Sequence, residues 1–100
     1  MSAPLVSTLA DDPDLAPLVE EYVAVLGQRI DEIARAAAAG DRHRTEVLAH
    51  QMVGGAGSHG FLPISDAARR LEEAAPSASA ELVADRVREL AALCARARAR

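Results

Sequence analysis

Apolar residues recur at three- and four-residue steps along four segments of the chain, which is the spacing of amphipathic helices. Proline, glycine, serine and aspartate residues, the usual punctuation of helix ends, separate the segments. We expect the first helix to begin near Pro13 with Asp12 as its N-cap and to end at Gly40, after which Asp41 caps the second helix. The third helix is expected between Pro63 and Pro76, and Ser77 or Ser79 is expected to cap the fourth. Because the connections are short, the pattern predicts an all-α protein folded as an antiparallel, up-down four-helix bundle.

The first and fourth segments carry the longest apolar stripes. In the first segment the stripe consists of Leu15, Leu18, Val19, Tyr22, Leu26, Ile30, Ile33 and Ala37. In the fourth it consists of Leu82, Val83, Val87, Leu90, Leu93 and Cys94. We expect these side chains in the core, with Cys94 as a buried, unreactive thiol because a free cysteine usually behaves as a small hydrophobe.

A chain of 100 residues supports one domain. We expect residues 1–11 to form a loose arm or short helix and residues 12–100 to form the bundle. The arginines at positions 96, 98 and 100 are expected at a frayed end without a role of their own.

Charge and hydropathy exclude several classes of function. A net charge of −4 argues against nucleic acid, which requires a basic face. The N-terminal residues lack the features of a signal peptide, and no stretch approaches the ~20 apolar residues that span a bilayer. We therefore expect a cytoplasmic, monomeric protein without a membrane contact.

The segment from Ala49 to Gly60 reads AHQMVGGAGSHG and places an imidazole among small residues. At about 100° per residue, Leu48, Met52, Gly55 and His59 share the core side of a helix. His50 falls on the opposite side, together with Glu46, Val47, Gly54 and Gly57. Gly54, Gly55 and Gly57 lie inside the predicted helix, where each glycine costs about 1 kcal/mol of helix stability relative to alanine. This cost without a local benefit indicates that a partner approaches closely.

This segment resembles the signature of histidine-containing phosphotransfer (HPt) domains of bacterial phosphorelays, Ala-His-x-Leu-Lys-Gly-x-Ala-x-x-x-Gly. The positions that match are Ala49, His50, Gly54, Ala56 and Gly60. Met52 replaces the leucine conservatively, whereas Val53 stands where the family has lysine. The resemblance extends over roughly residues 12 to 98 and includes Arg29-Ile30, Ala39-Gly40-Asp41 and Leu71-Glu72-Glu73.

The resemblance implies a histidine phosphocarrier in two-component signal transduction rather than an enzyme. His50 would accept a phosphoryl group from a receiver-domain aspartate and pass it to another receiver. Gln51, Val53, Gly54, Gly57 and Val47 would surround the phosphate or contact the partner. Receiver domains and a hybrid histidine kinase are the expected partners, and Mg²⁺ is expected on the receiver, so the chain itself needs no cofactor.

Two alternatives remain open at this point. The chain could be a degenerate module that binds a receiver or kinase without carrying phosphate, which an exposed Val53 beside His50 would favour. It could also be an unrelated structural bundle. Of the other histidines, we expect His43 on the surface without a role and His59 in the core; since His50 and His59 point opposite ways, no metal site is expected.

Overall fold

The computed structural model of the chain describes residues 3–100, most of which lie in four helices. The helices are α1 (Ala16–Ala38), α2 (Arg42–Ser58), α3 (Leu62–Ala74) and α4 (Ala80–Arg96). Each helix packs against two others, so that α2 lies between α1 and α3 while α4 closes the bundle on the other side. The expected all-α fold of four helices is therefore confirmed.

The helix N-termini follow local side-chain chemistry at α2, α3 and α4. Asp41 caps α2 by accepting a hydrogen bond of 3.0 Å from the backbone N–H of Arg44. Ser79, rather than Ser77, caps α4 by accepting one of 3.1 Å from Leu82. Pro63 lies in the first turn of α3, where the missing N–H costs nothing.

The first helix begins later than the expected start near Pro13, since α1 starts at Ala16. The carboxylate of Asp12 accepts the backbone N–H of Asp14 at 2.9 Å, which forms a local turn before the helix. The carbonyl of Asp12 then accepts the N–H groups of Leu15 and Ala16. Asp12 therefore caps the turn that leads into α1 rather than the helix itself.

Both α1 and α2 end at a glycine in the left-handed region, Gly40 with φ +73° and Gly60 with φ +81°. The residue after each glycine closes the helix by donating to a carbonyl five residues earlier, as Asp41 does to Ala36 at 3.0 Å. The corresponding bond from Phe61 measures 2.9 Å. This is the Schellman arrangement, in which glycine avoids the steric penalty of a Cβ.

The core consists of the apolar stripes facing one another. The bulkiest fully buried side chains are those of Phe61, Leu26, Ile33, Ile64, Leu71, Leu90, Val19 and Thr45. Cys94 is buried as expected, and burial raises the pKa of its thiol to about 11. Two stripe positions are wrong: Leu18 is 50% exposed and Leu82 is 37% exposed, because both lie in the first turn of a helix, where fewer neighbours cover them.

The N-terminal segment is an ordered strap. Its strand β1 (Leu5–Val6) pairs in parallel with β2 (Ala97–Arg98), which directly follows α4. Ser7 Oγ donates to the carbonyl of His59 at 2.6 Å, and the N–H of Thr8 donates to that of Gly60 at 2.9 Å. Residues 3–11 contain β1 and turns but no helix, and residues 1 and 2 of the expected arm lie outside the described residues.

The expectation of a frayed C-terminus without a role is also wrong. Arg96 Nε donates to the carbonyl of Ala3 at 2.7 Å, and the carbonyl of Arg98 accepts the N–H of Ser7. Arg100 forms an ion pair of 3.2 Å with Glu20 on α1. The contacts of Arg96 and Arg98 join the C-terminal residues to the strap, and the ion pair of Arg100 joins them to α1. Across residues 3–100, no helix combines the length and the apolar character needed to cross a membrane.

A series of glycine-to-alanine substitutions separates backbone strain from packing. Gly27→Ala should raise the free energy of unfolding by up to about 1 kcal/mol, since the site is open and helical. Gly40→Ala, also open but at positive φ, should lower it by about 1–2 kcal/mol. Gly60→Ala should cost more, because its Cβ would also lie 2.9 Å from the backbone nitrogen of Thr8. Urea unfolding followed by circular dichroism measures the free energy of unfolding of each variant. Equal losses of that free energy in Gly40→Ala and Gly60→Ala would contradict the packing of the strap against Gly60.

Candidate functional site around His50

His50 lies in the middle of α2 with 73% of its side chain exposed. Its neighbours Leu48, Ala49 and Met52 are buried in the core, so the helix is fixed while the imidazole faces solvent. This is the orientation expected from the helical spacing. A partner can therefore reach the ring without any movement of α2.

Glu72 on α3 holds the imidazole from the side. Its Oε2 lies 2.7 Å from Nδ1 of His50, within hydrogen-bond distance. An ionised carboxylate can only accept a hydrogen bond, so the tautomer of His50 that fits this contact has its proton on Nδ1 and donates the hydrogen bond from Nδ1–H to Glu72 Oε2. In that tautomer Nε2 carries the lone pair, on the opposite side of the ring from the nitrogen that contacts the carboxylate.

Sequence reasoning missed this role of Glu72. The sequence offers Glu72 only as part of the Leu71-Glu72-Glu73 resemblance, since the periodicity of one helix does not show which residue of another helix it meets. The usable signal was the seven-residue separation of Ser65 and Glu72, which places both on one face two turns apart. That face contacts α2 at both residues, because Ser65 Oγ donates to the carbonyl of Val53 at 2.8 Å.

The surface next to His50 is low and partly apolar. Gly54 is exposed, and a Cβ added there would meet nothing within 4 Å. Val47 is 40% exposed and Gln51 is exposed on the same part of the helix. Val53 is half-buried and packs against the core, so less of it faces solvent than the sequence suggested.

The expectation that Gly57 shares the open face with His50 is wrong. Gly57 is half-buried, and a Cβ there would lie 3.4 Å from Ser65 Oγ on α3. Glu46 is half-buried too. A helical projection gives the direction of a residue but not the distance to the next helix, which is small here because α2 and α3 meet through small side chains.

The other two histidines lie in different surroundings. His43 is exposed at the start of α2. His59 is half-buried, stacks on the ring of Tyr22 with centroids 4.3 Å apart, and has Nδ1 2.7 Å from the carbonyl of Gly55. Burial raises the pKa of Tyr22 to about 12. His59 is therefore a packing residue of the interface between α1 and α2.

Comparison with known protein families assigns most of the chain to one family. The family model described as Hpt domain matches residues 17–100, which include α2 with His50 and all of α3. The chain belongs to the Hpt domain family. No curated protein and no solved structure gives a match.

Membership in the Hpt family confirms the resemblance and overturns the alternative of an unrelated structural bundle. Hpt domains are phosphocarriers of two-component phosphorelays, where they interact with receiver domains and kinases. The matched range is close to the expected one, residues 12 to 98. Within residues 3–100, no group of three or more His, Cys, Asp or Glu side chains is placed to hold a metal ion.

Leucine substitutions at two glycines should separate the open side of His50 from the side covered by α3. Gly54→Leu should keep or raise the melting temperature, since the position is open and leucine is a better helix former than glycine. Gly57→Leu should lower the free energy of unfolding by about 1–3 kcal/mol, because the side chain must displace Ser65. Thermal unfolding by circular dichroism measures both. A destabilised Gly54→Leu variant would show that this part of α2 is covered.

Proposed function

We propose that His50 is the phosphoryl-accepting residue of this Hpt domain, and that the domain carries phosphate between receiver domains. The observation that supports this most is the pairing of an exposed imidazole with Glu72 at 2.7 Å. A nucleophilic histidine needs one nitrogen held in a defined tautomer and the other accessible, and His50 meets both needs. His43 lacks the bond to Glu72, and His59 is half-buried.

In the proposed transfer, the Nε2 lone pair of His50 forms a bond to the phosphorus of an aspartyl phosphate on the receiver. The P–O bond to the aspartate breaks, and its electron pair stays on the aspartate carboxylate. The ring becomes cationic while it keeps its Nδ1 proton, and the Glu72 carboxylate stabilises that charge. Passing the group to a second receiver reverses these steps.

The partner would provide what this chain does not. In-line phosphoryl transfer depends on positioning and on neutralising the charge of the phosphoryl oxygens, and we assign the Mg²⁺ that does this to the receiver. The Hpt domain would provide access through the open surface at Gly54 and Val47. Gln51, exposed and next to His50 in the chain, would donate an amide hydrogen bond to a phosphate oxygen. The stable Gly54→Leu variant is therefore expected to lose receiver binding.

A module that binds receivers without carrying phosphate is the second candidate. Its best support from the sequence was an apolar Val53 exposed beside the histidine. Val53 packs against the core, so a large exposed apolar surface at this position is absent from the described residues. The contact between His50 and Glu72 fixes the orientation of the imidazole, which a nucleophile needs and a module that only binds does not, and this favours the phosphocarrier.

Replacing His50 tests the acceptor directly. His50→Gln should abolish an acid-labile, alkali-stable label acquired from a phosphorylated receiver, since glutamine has no nucleophilic nitrogen. The fold should persist, because the side chain is 73% exposed. Intact mass measurement at neutral pH reports the phosphate and circular dichroism the fold. His43→Gln and His59→Gln are the matched controls, and labelling of His50→Gln at the wild-type level would refute the assignment.

Replacing Glu72 tests the hold on the ring. Glu72→Ala should slow phosphate uptake by roughly tenfold, because the imidazole loses the partner that fixes its tautomer. The exposed neighbour Glu73 offers the control Glu73→Ala, which should leave uptake unchanged. Nitrogen-15 NMR of the ring should show the proton on Nδ1 in the wild type and a mixture of tautomers in Glu72→Ala. Equal uptake by the two variants would leave Glu72 as a surface residue only.

A further inference from the structure

The surroundings of His50 are acidic before any phosphate arrives. The Glu72 carboxylate lies 2.7 Å from the ring, and Glu46 lies one turn earlier on α2, half-buried. A phosphoryl group would add about two negative charges to this surface. A cation of the chain that reaches the phosphoryl oxygens would offset the repulsion, and Val53 on the adjacent turn cannot provide one.

The 11 lysine and arginine residues of the chain are all arginines. Most of them already form an ion pair or a side-chain hydrogen bond. Within residues 3–100, only Arg29, Arg35 and Arg69 form neither an ion pair nor a side-chain hydrogen bond. All three are exposed. A guanidinium that contacts a phosphoryl group at His50 without breaking an existing bond must therefore be one of these.

Arg69 lies on α3 between the two residues that contact α2 around His50. It follows Ser65 by four residues and precedes Glu72 by three, which are axial separations of about 6 Å and 4.5 Å. Since Ser65 contacts the carbonyl of Val53 and Glu72 contacts His50, Arg69 lies alongside the turn of α2 from His50 to Val53. At about 100° per residue it points some 40–60° further outward than these two contacts.

This position suits a long side chain that reaches over the α2–α3 interface. The neighbouring Arg70 points to the other side of α3, where it pairs with Glu89 of α4 at 3.7 Å. Arg29 belongs to α1, which packs on the other side of α2 from α3. There it lines a cavity together with Tyr22 and Gln51. The ring of His50 is held toward α3 instead. Arg35 lies in the last turn of α1.

We propose that Arg69 contacts the phosphoryl group on Nε2 of His50 and neutralises part of its charge. A guanidinium can donate two parallel hydrogen bonds to phosphate oxygens. Arg69 would form and break no covalent bond; it would favour the phosphorylated state and the approach of the aspartyl phosphate. This proposal rests on the proposed function of His50, but its test can be made without a receiver.

The direct test uses domain phosphorylated chemically with phosphoramidate, which needs no protein partner. Phosphorus-31 NMR then gives the pH midpoint at which the phosphoryl group on His50 titrates. A nearby guanidinium favours the more charged form, so Arg69→Gln should raise this midpoint by roughly 0.5 pH unit. Arg35→Gln removes another exposed, unpaired arginine from a different part of the surface and should leave the midpoint unchanged.

A second arm measures phosphate uptake from a phosphorylated receiver. Arg69→Gln should slow it by roughly threefold to tenfold, and Arg69→Lys should retain most of the wild-type rate, because it retains the charge. The double variant Val53→Lys with Arg69→Gln should recover uptake, since a lysine at 53 places a cation on the same turn. Each substituted residue lies at an exposed or half-buried position of a helix. Circular dichroism checks that each variant keeps its fold.

The two proposals fail separately. If Arg69→Gln titrates and takes up phosphate like the wild type, or if Arg29→Gln shifts the midpoint in its place, the role of Arg69 is refuted while His50 remains the acceptor. If the wild type takes no phosphate from receivers, the proposed function fails. The phosphorus-31 midpoint still decides whether Arg69 contacts a phosphoryl group at His50.

Discussion

The close packing of α2 against α3 is the constraint on which the site depends. Small residues make it possible: Gly57 faces Ser65 across the interface, and Ala56 and Ala68 are fully buried. At Ser65 the two helices meet through a hydrogen bond of 2.8 Å from its Oγ to the Val53 carbonyl rather than through an apolar contact. This hydrogen bond fixes the register of α2 and α3. That register brings Glu72 to His50. A bulkier residue at Gly57 would separate the helices and remove the partner of the imidazole.

The strap provides a second constraint at the C-terminal end of α2, where His59 and Gly60 follow the helix. Strand β1 pairs with β2 while Ser7 and Thr8 bond to the carbonyls of His59 and Gly60. The glycine at 60 therefore serves two purposes: its positive φ ends α2, and its lack of a Cβ lets the strap approach. The end of α2 is held by hydrogen bonds and by the stack of His59 on Tyr22, while its middle is left free to present His50.

The parts of this fold that the sequence predicts are those with a local cause. Asp41 and Ser79 cap helices because each side chain reaches a backbone N–H three residues later, and spacing alone reveals that. The exposure of His50 follows from helical periodicity in the same way. Asp12 misleads because its carboxylate bonds two residues ahead and forms a turn instead. Glu72 and the covered side of Gly57 depend on the distance and register between two helices, which no single segment contains.

The chemistry proposed for His50 would rely on a hydrogen bond rather than on backbone strain. Among residues 3–100, positive φ angles occur only at Gly40 and Gly60, both at helix ends, so the backbone around His50 stores none. An exposed, charge-assisted bond contributes at most about 1.5–3 kcal/mol, and solvent screening reduces it. Such a modest contribution suits a carrier, because a site that bound the phosphoryl group strongly would oppose its release. The same argument applies to the proposed contact of Arg69, because an exposed cation would favour the phosphorylated state enough to load it without holding it.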